Sequence, residues 1–278
     1  MVKLLRFFAR AILPLWLILF SFAPIVAQSG AVSPDDDIGL YRLLSEIERL
    51  VDSSGGIVGV GAFHIESGRS VWLNGNVRFP MASTYKVPIA VQLLSRVDRA
   101  EISLADMIAL DPTDIHPGSG TLSNLFDDPG VVLSVRNLLE LMLLISDNSA
   151  TDLSLSSAGG PVAVNARMAE LSIGEISVNR PTSVLIADFY GVEAPADGKI
   201  TMDEFLRRSS SVTEAERDAA RTAFSTDLRD TATPRAMVKL LESVWGGSAL
   251  SPSSTALFKD IMLRVQTGMG RIKGVLPP

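Results

Sequence analysis

Two short runs of this sequence carry residue types able to do covalent chemistry together. They are Ser83-Thr84-Tyr85-Lys86 and, 63 positions later, Ser146-Asp147-Asn148. At a helix start, positions i and i+3 share a face, which sets the Lys86 amine beside the Ser83 hydroxyl. A serine hydroxyl is a weak nucleophile until a base accepts its proton, and a partly buried lysine with a lowered pKa is such a base. The Ser-x-x-Lys pattern is weak evidence by itself: with 31 serines and 6 lysines it is expected roughly 0.7 times by chance. Two details strengthen it. Lys86 is the only lysine between Lys3 and Lys199, and the motif sits where a strand pair gives way to a helix. Ser146-Asp147-Asn148 is the more specific signal, expected roughly 0.05 times. It directly follows a strongly apolar helix, so its three polar residues either cap the next segment or face a cleft.

The elements that must position these residues can be read from periodicity. Leu40, Leu43, Leu44, Ile47, Leu50 and Val51 recur at helical spacing, and Ser54-Gly55-Gly56 ends that helix. Residues 57–65, β-branched with interleaved glycines, read as a buried strand; 66–69 as a turn; and 70–73 as its partner strand. A helix is expected over about 84–97, with Pro88 tolerable in its first turn. Another is expected over 135–145, after the turn-rich His116-Pro117-Gly118-Ser119-Gly120. Beyond it the chain is mostly helical. Gly160-Pro161 opens one helix. Thr201 with Glu204 and Thr213 with Glu216 form capping boxes, and Thr233-Pro234 and Ser251-Pro252 each pair a cap with a first-turn proline. A sheet-bearing lobe and a helical lobe are the simplest arrangement.

Composition narrows the chemistry further. The 278 residues are 47% hydrophobic and 20% charged, with no cysteine and a net charge of −6. That excludes a disulfide scaffold, a zinc-thiolate site and a cysteine nucleophile. The two histidines, His64 and His116, form no metal-ligand pattern. Residues 1–27 have the layout of a secretory signal peptide, Lys3, Arg6 and Arg10 preceding an apolar run and a small-residue cut site; an uncleaved anchor is the alternative. Removal leaves 22 basic and 31 acidic residues, a net −9 that is unsuited to nucleic acid. The protein is therefore expected to be exported, periplasmic or secreted, with no stable membrane association after cleavage.

The two motifs, in this order and spacing, resemble the class A serine β-lactamases and the related penicillin-binding DD-peptidases. The resemblance also takes in Phe79-Pro80-Met81-Ala82-Ser83, Pro117-Gly118-Ser119-Gly120-Thr121, Leu138 to Ala150, Gly159-Gly160-Pro161, Asp230-Thr231-Ala232-Thr233-Pro234 and Thr267-Gly268-x-Gly270-Arg271. It implies an α/β fold, an all-α lobe packed on an antiparallel sheet flanked by helices. A catalytic domain over 28–278 would have its sheet lobe at about 28–82 plus the C-terminal part, and its helical lobe at about 83–235. It implies Ser83 as the acylated nucleophile, Lys86 as its activator and Ser146 as proton relay to the departing ring nitrogen. Asn148 and Ser119 would bind substrate, Asp147 would hold the loop, and the Ser83 N–H would be an oxyanion donor. The substrate would be a small β-lactam and the protein a monomer without cofactor or metal.

Two departures from the family pattern are visible. The loop glutamate that activates the deacylating water follows an arginine closely. If Arg180 is that arginine, Thr182 stands in the glutamate position and Ile186 replaces the asparagine that helps hold the water. A threonine hydroxyl is not a general base near neutral pH. Asp188 or Glu193 could substitute, although Asp188 is the natural partner of Arg180 in closing the loop. The second departure is the absence of Lys-Thr-Gly: the chain stops at Pro278 about where that strand should begin, and Gln266-Thr267-Gly268 only ends the preceding helix. The sequence thus reads as C-terminally truncated, its last strands and helix missing. Glu193 to Glu204 imitates half of a calcium loop, but Pro195 occupies a ligand position and Glu204 is assigned to the Thr201 capping box. The expected function is β-lactam hydrolysis through an acyl-enzyme on Ser83. The alternatives are a slowly deacylating DD-peptidase- or esterase-like hydrolase and a non-catalytic fragment.

Overall fold

A computed structural model of the protein describes residues 37–126, 128–268, 270–271 and 274; the signal-peptide segment and most of the linker at 29–37 lie outside them. Asp37 is the N-cap of α1 (Ile38–Asp52), its Oδ1 accepting from the Gly39 and Leu40 amides at 2.8 and 3.2 Å. A hairpin follows, β1 (Val60–Phe63) and β2 (Ser70–Leu73), in the register Val60↔Leu73 to Phe63↔Ser70. The first strand is shorter than the sequence suggests. At Gly59 a Cβ would collide with the Phe79 ring, so the segment before β1 runs too close to its neighbours for a side chain there.

Strand β3 (Phe79–Pro80) leads into a 3-10 turn at Ala82–Tyr85 and then α2 (Lys86–Asp98), so the expected helix splits into two geometries. Next come β4 (Met107–Ala109), the short α3 (Leu122–Leu125) and β5 (Val132–Ser134), which pairs with β4. Then α4 (Val135–Leu144), α5 (Asn148–Ser157) and α6 (Gly160–Glu170) form the helical lobe with α2. Ile89, Leu93, Leu94, Leu138, Leu139 and Met142 are fully buried between these helices. Pro88 falls in the first turn of α2, where its missing N–H removes no intrahelical bond.

The chain then runs through α7 (Thr182–Tyr190), α8 (Met202–Ser211) and α9 (Glu214–Thr226) to β6 (Thr231–Ala232), which pairs with β3. It continues through α10 (Pro234–Trp245) and α11 (Pro252–Leu263). Among the described residues the strands make three two-stranded antiparallel ladders. Thr213, Thr233 and Ser251 cap their helices as the sequence indicates. The Thr201–Glu204 box forms by half only. The Glu204 amide donates to Thr201 Oγ1, while its carboxylate turns to Arg207 and Arg208, two charged partners that outcompete one backbone amide. Gln266 lies beyond α11 and donates its amide to Leu144 O at 2.8 Å. No helix among the described residues is long and apolar enough to cross a membrane.

One ion-pair node closes the long excursion at 181–229. Arg180 donates from Nε to Asp230 Oδ2 at 2.7 Å and from Nη1 to Asp188 Oδ2 at 2.6 Å, and Asp227 Oδ2 lies 3.0 Å from Nη1. Asp230 Oδ1 also accepts the Asn179 and Arg180 amides, so the two ends of the excursion are tied by backbone as well as side chain. Between them, Ala187, Val192, Ile200 and Phe205 form a second small core. Arg180 and Asp230 are both buried. Removing Asp230 takes from Arg180 its most buried carboxylate partner and from the Asn179 and Arg180 amides their acceptor, so Asp230→Ala is expected to cost about 3–5 kcal/mol. Asp188→Ala, at a half-exposed partner, should cost under about 1 kcal/mol. Urea unfolding of the two variants measures the difference.

Candidate active site

Ser83 stands in the 3-10 turn immediately after Ala82, whose φ of 45° is a left-handed conformation that a non-glycine residue rarely adopts. That kink exposes Ser83 at the mouth of a cleft, and among the described residues its Oγ and its amide N–H have no hydrogen-bond partner. Lys86, one turn on, is buried. Its ammonium donates to Ser146 O at 2.6 Å, to Ser146 Oγ at 2.8 Å and to Asn148 Oδ1 at 3.1 Å. Three donors thus meet three acceptors. Burial pulls its pKa down to about 8, opposed by the nearby Asp147 and Asp152 carboxylates. Both Lys86 and Ser83 line the cleft, yet the protonated amine bonds to Ser146 and Asn148, with no hydrogen bond to Ser83 Oγ.

Ser146-Asp147-Asn148 forms the facing wall. Ser146 has a φ of 61°, which turns the chain sharply between α4 and α5. Asp147 is fully buried and caps α5: Oδ1 accepts from the Ala150 amide at 2.9 Å, and Oδ2 accepts from Thr121 and Leu122 amides at 2.7 and 2.9 Å. This contact needs Gly120, because at φ 123° any Cβ would fall inside the Asp147 carboxylate. Asn148 donates from Nδ2 to Pro117 O at 2.9 Å and from its backbone to Ser119 O at 2.9 Å. Ser119 Oγ in turn donates to Ser146 O at 2.7 Å. The structure therefore brings Ser83, Lys86, Ser119, Ser146 and Asn148 together, with Asp147 behind them. Arg180 and Asp188 stand off the cleft, in the node that closes the excursion.

Thr182 completes the site with two residues not singled out by sequence, Tyr85 and Asp152. Thr182, at the start of α7, meets the Tyr85 hydroxyl in a short hydrogen bond. Its amide and that of Ser183 donate to the Asp152 carboxylate, which also lies 3.1 Å from His116 Nε2. Burial would raise the Asp152 pKa, but His116 and the two amides prevail and hold it below the usual range. Burial, with the charges of Asp152 and Asp230, pushes the Tyr85 phenol well above its usual value and keeps it protonated. Asp152 lies one helical turn beyond Asn148, a spacing that could have drawn attention to it. The cleft encloses about 290 Å³, and its one carboxylate, Asp230, is engaged by Arg180. Among the described residues no cluster of three or more His, Cys, Asp or Glu could hold a metal ion.

A profile of the family described as "Beta-lactamase enzyme family" matches residues 42–278. The chain belongs to the β-lactamase enzyme family. A β-lactamase of Bacteroides uniformis is 26% identical over 239 residues, covering 84% of this chain and 69% of its own. The solved structure of an ancestral class A β-lactamase matches with a TM-score of 0.65 and 26% identity over 84% of this chain and 76% of that one. A mutant of PBP-A, solved as an acyl-enzyme complex with penicillin G, matches with a TM-score of 0.61 and 26% identity, covering 82% and 70%. The α/β fold inferred from the sequence is that of these β-lactamase-family structures.

The environment of Lys86 is open to direct measurement. Its amine is expected to titrate with a midpoint near 8 by NMR, against about 10.4 for free lysine. Asp152→Asn removes a charge that favours the ammonium, and the midpoint should move lower still.

Proposed function

We propose that the chain is a serine β-lactamase working through an acyl-enzyme on Ser83. The observation that carries the reading is the buried Lys86 amine, held by Ser146 and Asn148 in the cleft that exposes Ser83. With a pKa near 8, a useful fraction of that amine is neutral at physiological pH and can take the Ser83 proton. The Ser83 Oγ–carbonyl bond forms, the lactam C–N bond breaks, and the ring nitrogen receives a proton from Ser146, which Lys86 restores. The free Ser83 N–H stabilises the developing oxyanion. Asn148 keeps one amide N–H for the substrate beyond the one given to Pro117.

A second reading has its own support. In the position assigned to the water-activating glutamate, Thr182 faces the protonated Tyr85, and Ile186 lines the cleft beside it. A site without a free carboxylate there acylates readily and hydrolyses the ester slowly, as a penicillin-binding peptidase or esterase does. We further propose export through a signal peptide at 1–27 and a monomeric catalytic domain over 28–278, with no cofactor.

Incubation with a fluorescent penicillin, followed by intact mass over time, separates the readings. Rapid turnover favours the hydrolase, a persistent adduct favours slow deacylation, and no adduct on Ser83 refutes both. Ser83→Ala should abolish the adduct. Thr182→Glu should shorten its lifetime by roughly 10²-fold, the lower end for a positioned general base. The acylation rate should climb with pH through a midpoint near 8, because only neutral Lys86 accepts the proton.

A further inference from the structure

Helix α5 borders two cavities. Asn148, at its start, lines the catalytic cleft, while Asp152 and Ser156 line a second one of about 320 Å³ that the chemistry of Ser83 does not use. The charged lining of the second cavity is Asp114, His116, Asp152, Asp197 and Lys199, and Pro161 and Pro181 give it an apolar face. Three carboxylates therefore share it with one ammonium. Asp152 is held ionised by His116 and by the Thr182 and Ser183 amides. Lys199, from the 181–229 excursion, donates to the buried Asp114 but is itself half-exposed. His116 is only 4% exposed. A carboxylate accepts and cannot donate, so the Nε2 that lies 3.1 Å from Asp152 carries the proton, and in the neutral ring Nδ1 is left as an acceptor. Among the described residues Nδ1 has no hydrogen-bond partner. A buried acceptor without a donor, beside an excess of carboxylates, calls for a group that the chain does not supply.

We infer that this second cavity is a binding site for a small organic cation, an ammonium group carried on a compact apolar body. The ammonium offers N–H donors to His116 Nδ1 and to the carboxylates, and the body packs on the two prolines. At about 320 Å³ the cavity is at the small end for ligand sites, with room for one ring or a short aliphatic chain. An anion would meet three carboxylates at close range. A wholly apolar ligand would leave Nδ1 unpaired. Lys199 is the internal competitor for the same carboxylates, and an incoming ammonium displaces it to water at small cost, because half-exposed ion pairs are weak. The site asks nothing of acylation at Ser83. Its occupancy is nevertheless reported at the start of α7, since the carboxylate that meets His116 also holds the Thr182 and Ser183 amides.

The test is an NMR titration of the protein with benzylamine, and with benzyl alcohol as the same shape without the charge. Benzylamine should bind with a Kd of about 1 mM, shifting the His116 ring and the Thr182 and Ser183 amides. Benzyl alcohol should bind at least about 10-fold more weakly. Lys199→Ala removes the competing ammonium and should tighten benzylamine binding several-fold, whereas Asp114→Asn should weaken it by about 10-fold. Glu46→Gln, which removes an exposed carboxylate from α1, should change nothing, and this separates the cavity from a general attraction of cations to an acidic protein. Equal binding of the two probes overturns the site, as do shifts that spare His116. A Lys199→Ala variant that binds benzylamine no more tightly than the wild-type chain also overturns it. That variant alters a half-exposed side chain, so it keeps the test decisive even if Asp114→Asn does not fold.

Discussion

A lysine amine taken out of water must find an acceptor for each proton or give one up, and the architecture of the cleft follows from meeting that demand at Lys86. Its three acceptors are two atoms of Ser146 and one of Asn148. None would stay in place alone, because they sit in a sharp turn between two buried helices. Asp147 holds the turn by accepting three backbone amides from two segments. Gly120 lets those segments meet, and Ser119 closes the network from the far side. A group tuned to lose its proton near neutrality thus depends on a chain of contacts in which most members never touch substrate.

The two walls of the cleft differ in kind. The Ser146 side is polar, with an acceptor for each proton of the Lys86 ammonium. On the other side Asp152 organises the start of α7 through the Thr182 and Ser183 amides and is itself held ionised by His116. That carboxylate is spent on backbone, so it cannot serve a water in the cleft. What faces Ser83 there is a threonine bonded to a protonated phenol and a row of apolar side chains. One side supports bond-making; the other is mostly apolar.

Much of this was legible in the chain because local rules and the tertiary structure agree. The α1 periodicity, the hairpin turn, the proline-opened helices and both motifs lie where spacing places them. The partners of Lys86 were less legible: helical spacing points the amine at Ser83, whereas satisfying an ammonium requires acceptors 60 residues away. Arg180 shows the same limit. Asp188, eight residues on, was visible as a partner, but Asp230 and Asp227 reach the guanidinium only because β6 pairs with β3. Glu204 fits a capping box by position and was drawn off by two arginines on its own helix. Long-range electrostatics and competition between partners are what periodicity does not encode.

The excursion at 181–229 leaves and rejoins the body at one point, where Asn179, Arg180 and Asp230 bond to one another. A segment anchored that way behaves as a cassette. Its inward-facing side chains from Leu185 onward can change without shifting either anchor, while Thr182 and Ser183 stay tied to Tyr85 and Asp152. The arrangement separates two evolutionary problems, keeping one chemistry while trying new substrates. The mutational record of such a site should therefore be uneven, nearly silent around Asp147 and Gly120 and crowded along α7 to α9.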